Sequence, residues 1–597
     1  MDSIPSAPRP SRLWRCLRWL LFAPLALATF IALAYAVENW RGERAWRQVQ
    51  RDLAARGEPT SMHELAPPPV PDDQNLALAP LLRPVLAFHR GPDGNLIWED
   101  RPGQSRLTSV SREAWSARTR PPATRSWVHG ERIDLPAWQR YYQELAKEVG
   151  TPKPRTPTRI DPVLAERYGL SIRTNAVTAT TNREVPGFPQ MRPLPPDLAA
   201  RYGVGTNLTE AEFRVAFTYP VPERPGTPAA DVLHALGRVD PELDALAVEA
   251  ARRPLGRFPV HYDGAPWGIL LPHLAQVKKL AMVLQLRATA RLSEGQAASA
   301  HADTLLAMRL AELTRDEPFL ISQLVRGAAW TLALQPVWEG INDHRWDGPQ
   351  LASIAERLRA VDLAVAIDRG LRGQQFSGIA PVNDETRVRL ADEFRSFGSN
   401  RSTEEALPPE QLELADRLIR YGPRGWFYQN DLTTFSRVGE ECARFAAWYG
   451  TRAITNVARS VEMPVLRVRP YQFIGDQFMQ MLKARGAITG LLRAQAQVHL
   501  SLAATALERH RLATGTYPAS LEALVPRYLD RVPSDPMTGG PLRYLRASDG
   551  TFKLYSIGLD GLDDGGTLIL PEGGRSDETA RGPVVTAGDW IWPTRPR

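Results

Sequence analysis

The sequence predicts an α+β protein, in which helical hairpins form most of the fold and a small antiparallel sheet follows the last long helix. Residues 231–373 carry apolar side chains at helical spacing, as in LASIAERL (351–358), a pattern that buries one stripe of each helix. Near the carboxyl end, PLRYLRASDGTFKLYSIG (541–558) contains two alternating runs joined by an Asp-Gly pair. Alternation on both sides of such a turn predicts a β-hairpin.

Composition limits the classes of function. The chain has 597 residues, 43% apolar and 23% charged, which is ordinary for a globular protein. Its net charge of +7 is spread along the chain without a dense basic run, so nucleic acid is not an expected partner. The two cysteines, Cys16 and Cys442, are too few for a disulfide framework or a cysteine zinc site.

The amino end predicts a membrane segment. An uncharged apolar stretch covers residues 19–37 and follows a tail rich in arginine. As a helix it is long enough to cross the hydrocarbon core, so membrane lipid is an expected partner. We expect residues 1–18 to be a cytoplasmic tail and 19–37 an uncleaved transmembrane signal anchor. The sequence Ala34-Tyr35-Ala36 also fits a signal peptidase site, so a cleaved signal peptide remains the alternative.

The rest of the chain divides by composition. We expect a membrane-proximal helix over residues 38–65, a Pro-rich irregular region over 66–230 and a helical bundle over 231–373. We expect a mixed helical region over residues 374–479. Residues 480–597 are expected to form a long helix, a hairpin and an acidic loop. No later apolar stretch is long enough to span a membrane. The bulk of the chain is therefore expected on one side of the inner (cytoplasmic) membrane, in the periplasm or another extracytoplasmic space.

The carboxyl-terminal signals occur in a particular order. Residues 506–566 contain a helix ending in a tight turn, Tyr-Pro, a short Leu-x-x-Leu segment, an Asp-Pro turn, a hairpin and a Ser-x-Gly-x-Asp-Gly loop. This order resembles the globular domain of the major pseudopilin of type II secretion systems, over about residues 495–592. The resemblance implies a pilin-like fold and envelope or secretion proteins as partners. The remainder resembles uncharacterised bacterial membrane-anchored envelope proteins.

The chain departs from that family at the head of the helix. A pseudopilin carries its peptidase motif at the start of its own apolar helix. The helix that precedes the domain here is amphipathic and contains Arg493 and Glu508. We therefore expect that this protein is not processed or polymerised as a pilin.

The loop LYSIGLDGLDDGGT (554–567) holds three aspartates among glycines. Calcium takes about six to eight oxygen ligands from carboxylates and backbone carbonyls, and Asp560, Asp563 and Asp564 offer such groups. The spacing is not that of an EF-hand, and a solvated pair of Asp-Gly turns is the alternative. The resemblance implies Ca²⁺, because the family's domain binds calcium in this loop. It also adds Asp589, which matches an aspartate before an aromatic strand.

No local catalytic signature is present in the sequence. The histidines are scattered without metal-binding spacing, and no serine lies in a Gly-x-Ser-x-Gly elbow. His273 and His301 could face each other in the helical region. Two classes of function remain. One is an interaction or structural protein of the envelope, and the other is an anchored hydrolase with a site assembled from distant residues. The missing signature favours the first class.

Overall fold

The computed structural model describes residues 12–90, 96–111, 121–122, 125–149, 219–262, 269–377, 387–388, 391, 409–428, 439, 484–567 and 588–594. The α-helices among them are α1 (Arg12–Ala55), α2 (Arg101–Ser111), α3 (Leu135–Val149), α4 (Pro228–Leu236), α5 (Asp240–Arg252), α6 (Pro272–Ser293), α7 (Ala297–Ala311), α8 (Leu320–Asn342), α9 (Gly348–Arg359), α10 (Ala364–Ser377), α11 (Pro409–Tyr421) and α12 (Ala484–Thr514). The strands are β1 (Phe88–Arg90), β2 (Leu96–Trp98), β3 (Arg543–Arg546), β4 (Phe552–Ser556) and β5 (Trp590–Trp592). Helices dominate and both sheets are antiparallel, so the predicted α+β class is confirmed.

The helical bundle is built from short-linked neighbours. Helices α6 and α7 are joined through Gly295, whose φ of 75° is a backbone conformation that glycine adopts easily at a helix end. Helix α8 packs on both of them. The capping box of Asp347 and Gln350 starts α9, because each side chain satisfies a backbone amide that the helix leaves open. The predicted helical hairpins are therefore present.

Two buried arginines cross-link this bundle. Arg287 is 1% exposed and bonds both oxygens of Asp303, at 2.5 and 3.0 Å. Arg326 is also 1% exposed and bonds both oxygens of Glu312 at 2.9 Å. A buried charge is tolerated only when it is paired and hydrogen-bonded. These pairs therefore fix how the helices pack.

The long helix α12 joins the bundle to the small sheet. It packs against α8, α9 and α10, and also against β4 and β5. Its Glu508 is fully buried and lies 2.8 Å from His344 in the turn between α8 and α9. The helix is thus part of the same packed body as the bundle.

Helix α1 is continuous from Arg12 to Ala55, with Pro24 inside it. Every side chain from residue 22 to residue 37 is exposed. Within the described part of the chain, one helix is long and apolar enough to cross a membrane, and it is this one. Further along the same helix, Trp46 is 7% exposed and Leu53 is 1% exposed. One continuous helix therefore has an exposed apolar amino-terminal part and a carboxyl-terminal part that packs against the rest of the protein.

The Pro-rich stretch carries more structure than the sequence predicts. Its described part contains α2, α3 and the β1–β2 hairpin. Pro136 lies in the first turn of α3, a position where proline is tolerated because the missing amide has no helical partner. Leu76, Leu107 and Trp127 from this stretch fill the main core. Tertiary burial orders these residues where local periodicity is weak. The expected cytoplasmic tail up to residue 11, most of 374–479 and residues 150–218 lie outside the described residues.

Candidate metal centre

The small sheet brings the two parts of the acidic site together. Strand β4 lies between β3 and β5, with Tyr544 opposite Leu554 on one side and Ser556 opposite Trp590 on the other. The acidic loop leaves the end of β4, and Asp589 stands immediately before β5. Because β4 and β5 are antiparallel, the end of one strand adjoins the start of the other. The register therefore places Asp589 beside the loop.

Glycines allow the two segments to touch. A β-carbon at Gly558 would overlap the carbonyl oxygen of Gly588, so only a bare backbone fits at this contact. Gly561 and Gly565 have φ values of 73° and 66°, which turn the loop back towards the sheet. The glycines in this loop therefore serve its shape as well as its solvation.

Asp560 and Asp589 bind across the gap in opposite directions. The Oδ2 atom of Asp560 accepts a hydrogen bond from the amide of Gly588 at 2.9 Å. The Oδ2 atom of Asp589 accepts one from the amide of Gly566 at 2.8 Å, while the amide of Asp589 donates to the carbonyl of Thr567 at 3.0 Å. These bonds attach the carboxyl-terminal strand to the loop through protein groups alone.

Asp563 faces a different set of partners. Its Oδ1 atom accepts from the hydroxyl of Tyr555 at 3.0 Å and from the amide of Gly565 at 3.2 Å. Its Oδ2 atom lies 3.4 Å from Nε of Arg543. Asp564 is half-buried, and its backbone carbonyl accepts from the Thr567 hydroxyl at 2.7 Å. The loop carboxylates are thus divided between several donors.

Asp589 is the unusual member of the set. Its side chain is 0% exposed, and its Oδ1 atom has no hydrogen-bond partner among the described residues. Burial raises the pKa of this carboxyl, and the negative charges of Asp563 and Asp564 raise it further, against the opposing bond from Gly566. A buried carboxylate oxygen without a protein partner can be satisfied by a proton, a bound water or a cation.

The donor chemistry fits a hard cation, but a complete cage is not formed. Carboxylate and backbone carbonyl oxygens are the ligands that calcium prefers, and Asp589 supplies a buried oxygen that lacks a donor. Across the ranges that the structure describes, no three His, Cys, Asp or Glu side chains are gathered closely enough to hold a metal ion. The charges of Asp563 and Asp564 act on Asp589, whereas the carboxylate of Asp560 accepts from the Gly588 amide.

The sequence did not indicate Asp535, which binds the end of β4 at the start of the acidic loop. Asp535 is 1% exposed and accepts hydrogen bonds from the Met537 amide, the Ser556 hydroxyl and the Ile557 amide, each at 2.8 Å. Burial raises the pKa of Asp535 against these bonds. The Asp-Pro signal identified a turn there, but nothing in the sequence linked that turn to the start of the acidic loop.

The structure separates the two histidines that the sequence suggested might face each other. The Nε2 atom of His273 lies 2.8 Å from Glu317, whereas Nε2 of His301 lies 2.6 Å from Ser353. Ser322 donates to Glu317 at 2.5 Å. His273 and Ser322 are 0% exposed and Glu317 is 2% exposed. His273, Glu317 and Ser322 thus form a buried polar cluster within the core.

Comparison with protein-family models, with curated proteins and with solved structures found no match for this chain. Function is therefore argued from two features of the chain itself. One is the exposed apolar helix at the amino end, and the other is the helix, hairpin and acidic loop at the carboxyl end.

Proposed function

We propose that this is a bacterial envelope protein that α1 anchors in the inner membrane, with an interaction or structural role performed by a pseudopilin-like module at residues 480–597. The exposed end of α1 is the observation that carries the proposal. Phe30 is 70% exposed and Leu33 is 62% exposed, in a run that has no buried residue from 22 to 37. Such a surface is unfavourable in water, and a bilayer covers it.

The charges on both sides of the apolar run bear on its orientation. Arginines precede the run at positions 9, 12, 15 and 18, and cytoplasmic flanks of membrane helices are enriched in positive charge. Arg41, Arg44, Arg47 and Arg51 follow the span, and acidic neighbours such as Glu38 and Glu43 offset them little under this rule. We propose the orientation with the tail in the cytoplasm, which the reporter fusion described below tests. With the tail in the cytoplasm, the body lies on the periplasmic face.

The module's packing supports a fixed role in the body. Ile488, Leu491 and Leu492 on α12 are buried in one cluster with Leu320 of α8 and Ile367 of α10. In a pilin the corresponding helix must be available to other subunits. Here its first turns are covered by the same chain, so the module is held in place. It is suited to present a surface to another envelope protein.

Calcium is the cofactor that this proposal gives to the module. The Asp589 Oδ1 atom, with the Asp563 and Asp564 carboxylates, would hold the ion after Asp563 turns away from Tyr555. The bound ion would offset the mutual repulsion of these carboxylates. Its role is to stiffen the surface formed by the loop and β5.

Fractionation and topology test the anchor. We expect the full-length chain in the membrane fraction, and an alkaline phosphatase fused after residue 56 to be active, since that enzyme works only outside the cytoplasm. Deletion of residues 1–38 should give a soluble cytoplasmic protein. If cells that express the full-length gene instead yield a soluble periplasmic protein that begins at Val37, the segment is a cleaved signal peptide and not an anchor.

Photo-crosslinking tests the interaction role. Leu545 and Leu562 are exposed apolar residues of the module, at 55% and 63%. A photoreactive amino acid at either position should trap an envelope protein in living cells. Val248 on α5, 59% exposed, is the matched control. The same adducts from Val248, or none from the module, would count against the proposed role.

A further inference from the structure

The burial of α1 changes abruptly just beyond its apolar run. Residues 22–37 are exposed, Glu38 and Asn39 are partly buried, and Gly42 is buried. A helix end that projects from a domain normally loses its neighbours gradually. Here a specific segment of chain stops the exposure. That segment is residues 419–427, which comprise the end of α11 and the chain that follows it.

Two hydrogen bonds hold this segment against α1. The Tyr35 hydroxyl donates to the carbonyl of Tyr421. The Gly425 amide donates to Oδ1 of Asn39 at 3.0 Å. Tyr35 and Asn39 are four residues apart and so lie on one face of α1. We call this contact the clasp, meaning Tyr35, Asn39 and Gly42 on α1 with Tyr421 and Gly425 on the other side.

Close backbone packing completes the clasp. A β-carbon on Gly425 would overlap the carbonyl of Glu38, and a β-carbon on Gly42 would overlap the backbone of Gly425. On the far side, Arg387 donates to the carbonyls of Ile419 at 3.0 Å and Gly422 at 2.5 Å. A cation on the last carbonyls of a helix stabilises its end. The segment is thus fixed from both sides.

Several exposed side chains lie at or near the clasp, close to the end of the apolar run of α1. Tyr421 is 70% exposed, Leu414 on α11 is 58% exposed and Trp40 on α1 is 62% exposed. Tyr35 touches Tyr421 and lies two residues before Val37, the last residue of the apolar run, which is about 3 Å along a helix. If α1 spans a bilayer, Trp40 and Tyr421 lie at its boundary with water, and Leu414 is about two turns earlier on α11.

We propose that the clasp and α11 form a second membrane contact, in which Tyr421, Leu414 and Trp40 enter the interfacial layer of the bilayer. This inference rests on the proposed membrane anchor. Tyrosine and tryptophan favour that layer because their rings are apolar at one end and polar at the other. On α11 Glu413 lies 2.8 Å from Arg417 and Asp416 lies 3.0 Å from Arg420, and the exposed Arg424 beside the clasp suits a layer that contains anionic headgroups.

Continuity with α1 identifies lipid as the occupant of this surface. The exposed side chains of the clasp continue the exposed apolar surface of the helix, at the end where a bilayer must stop. The consequence is mechanical. Two contacts fix the height and tilt of the body above the membrane, whereas a single helix allows it to rotate and lean.

Spin labels at single cysteines test the inference in the full-length protein. The background carries Cys16→Ser and Cys442→Ser, and the protein is placed in lipid nanodiscs that contain anionic lipid. Labels go to positions 414 and 421, with position 27 as the bilayer control and position 545 as the water control. The Tyr421 side chain takes no part in the bond with Tyr35, since the carbonyl accepts it. A label there therefore leaves the clasp intact.

Accessibility to oxygen and to a water-soluble nickel complex gives the depth of each label. We expect labels at 414 and 421 to favour oxygen several-fold over nickel relative to position 545, with values between those at 545 and 27. If 414 and 421 match 545 while 27 reports the bilayer, the second contact is refuted and the anchor stands. If 27 also matches 545, the anchor itself fails. Protection of 414 and 421 from both reagents would show a protein partner or a second copy, which overturns the lipid assignment.

Discussion

The Oδ2 atom of Asp560 accepts a hydrogen bond from the amide of Gly588 at 2.9 Å, which joins two residues on opposite sides of the acidic loop. The reciprocal bond runs from Gly566 to Asp589 at 2.8 Å. These two bonds attach the strand that contains Trp590 to the acidic loop without a bound ion. Calcium would add its ligand bonds to these two hydrogen bonds. Its removal should therefore loosen the acidic loop without unfolding the sheet.

Calcium should raise the melting temperature of the full-length protein, and a chelator should lower it. A ligand that binds only the folded form stabilises it by about 2.7 kcal/mol at a hundred times its dissociation constant. Asp589→Asn should abolish the response, because the amide oxygen still accepts from Gly566 but the charge is gone. Asp564→Asn should weaken it. Scanning calorimetry with calcium and with chelator measures both effects.

The matched control for this experiment is Asp549→Asn in the hairpin turn. The Oδ1 atom of Asp549 accepts from the Thr551 amide at 2.8 Å, a bond that an asparagine oxygen also makes. The calcium response of this variant should equal that of the wild type. Identical wild-type melting with calcium and with chelator would mean that the acidic loop is a turn and binds no ion.

Without calcium, the contribution of Asp589 to the free energy of unfolding should fall as the pH rises above 3.8 through the raised pKa of this carboxyl. Burial first, and then Asp563 and Asp564, raise that pKa above its ordinary value of 3.8. The folded protein therefore keeps a proton that the unfolded chain releases, and this advantage is lost at higher pH. Urea midpoints at several pH values measure the trend.

Asp589→Asn should flatten this trend in chelator. Part of the pH dependence should remain in Asp589→Asn. Burial also raises the pKa of Asp535, so this carboxyl likewise lowers the stability as the pH rises. In calcium the wild-type trend should reverse, since the ion competes with the proton for the carboxylate. A slope in chelator that is the same in wild type and Asp589→Asn would disprove the assignment to this residue.

Glu508→Gln should destabilise the protein by about 1.5–3 kcal/mol at neutral pH, the usual worth of hydrogen bonds to a charged group. Burial alone would raise the pKa of Glu508, but bonds from Arg511 and His344 outweigh it and lower the pKa. The stability is therefore present above the ordinary value of 4.5 and is lost as the pH falls through the folded value. Denaturant unfolding at neutral and acid pH measures the difference.

Glu413→Gln is the control for Glu508→Gln. Glu413 pairs with Arg417 on the exposed side of α11, with side chains 64% and 68% exposed, and such pairs are worth little. We expect a change within about 0.5 kcal/mol. Equal effects of the two substitutions would show that the buried network contributes no more than a surface pair.

Gly425→Ala should loosen the clasp, because the new methyl group would overlap the Glu38 carbonyl. Overpacking of this kind costs about 1–3 kcal/mol. Limited trypsin digestion should then cleave faster after Arg420 and Arg424. Gly486→Ala on α12 is the control, since its β-carbon would meet nothing within 4 Å. Equal cleavage rates in the two variants would mean that the clasp does not protect this segment.

Local patterns were sufficient for much of the architecture. The alternation around the Asp-Gly pair predicted a hairpin, and in that hairpin Tyr544 and Leu554 are partners in the register. The acidic loop was visible because glycine and aspartate have strong local preferences. The sequence did not reveal Asp535, since its partners Ser556 and Ile557 lie about twenty residues further along the chain and meet it only after the sheet forms.

The sequence by itself determined the helical class, the apolar amino-terminal helix, the hairpin and the candidate ligands, because each depends on residues within a few positions of one another. Tertiary structure decided that Asp589 is buried with an oxygen lacking a partner, that His273 and His301 have separate partners, and that Gly425 touches Glu38. These facts depend on which distant segments pack together. Burial then sets the desolvation of a carboxylate, and no pattern of neighbouring residues specifies it.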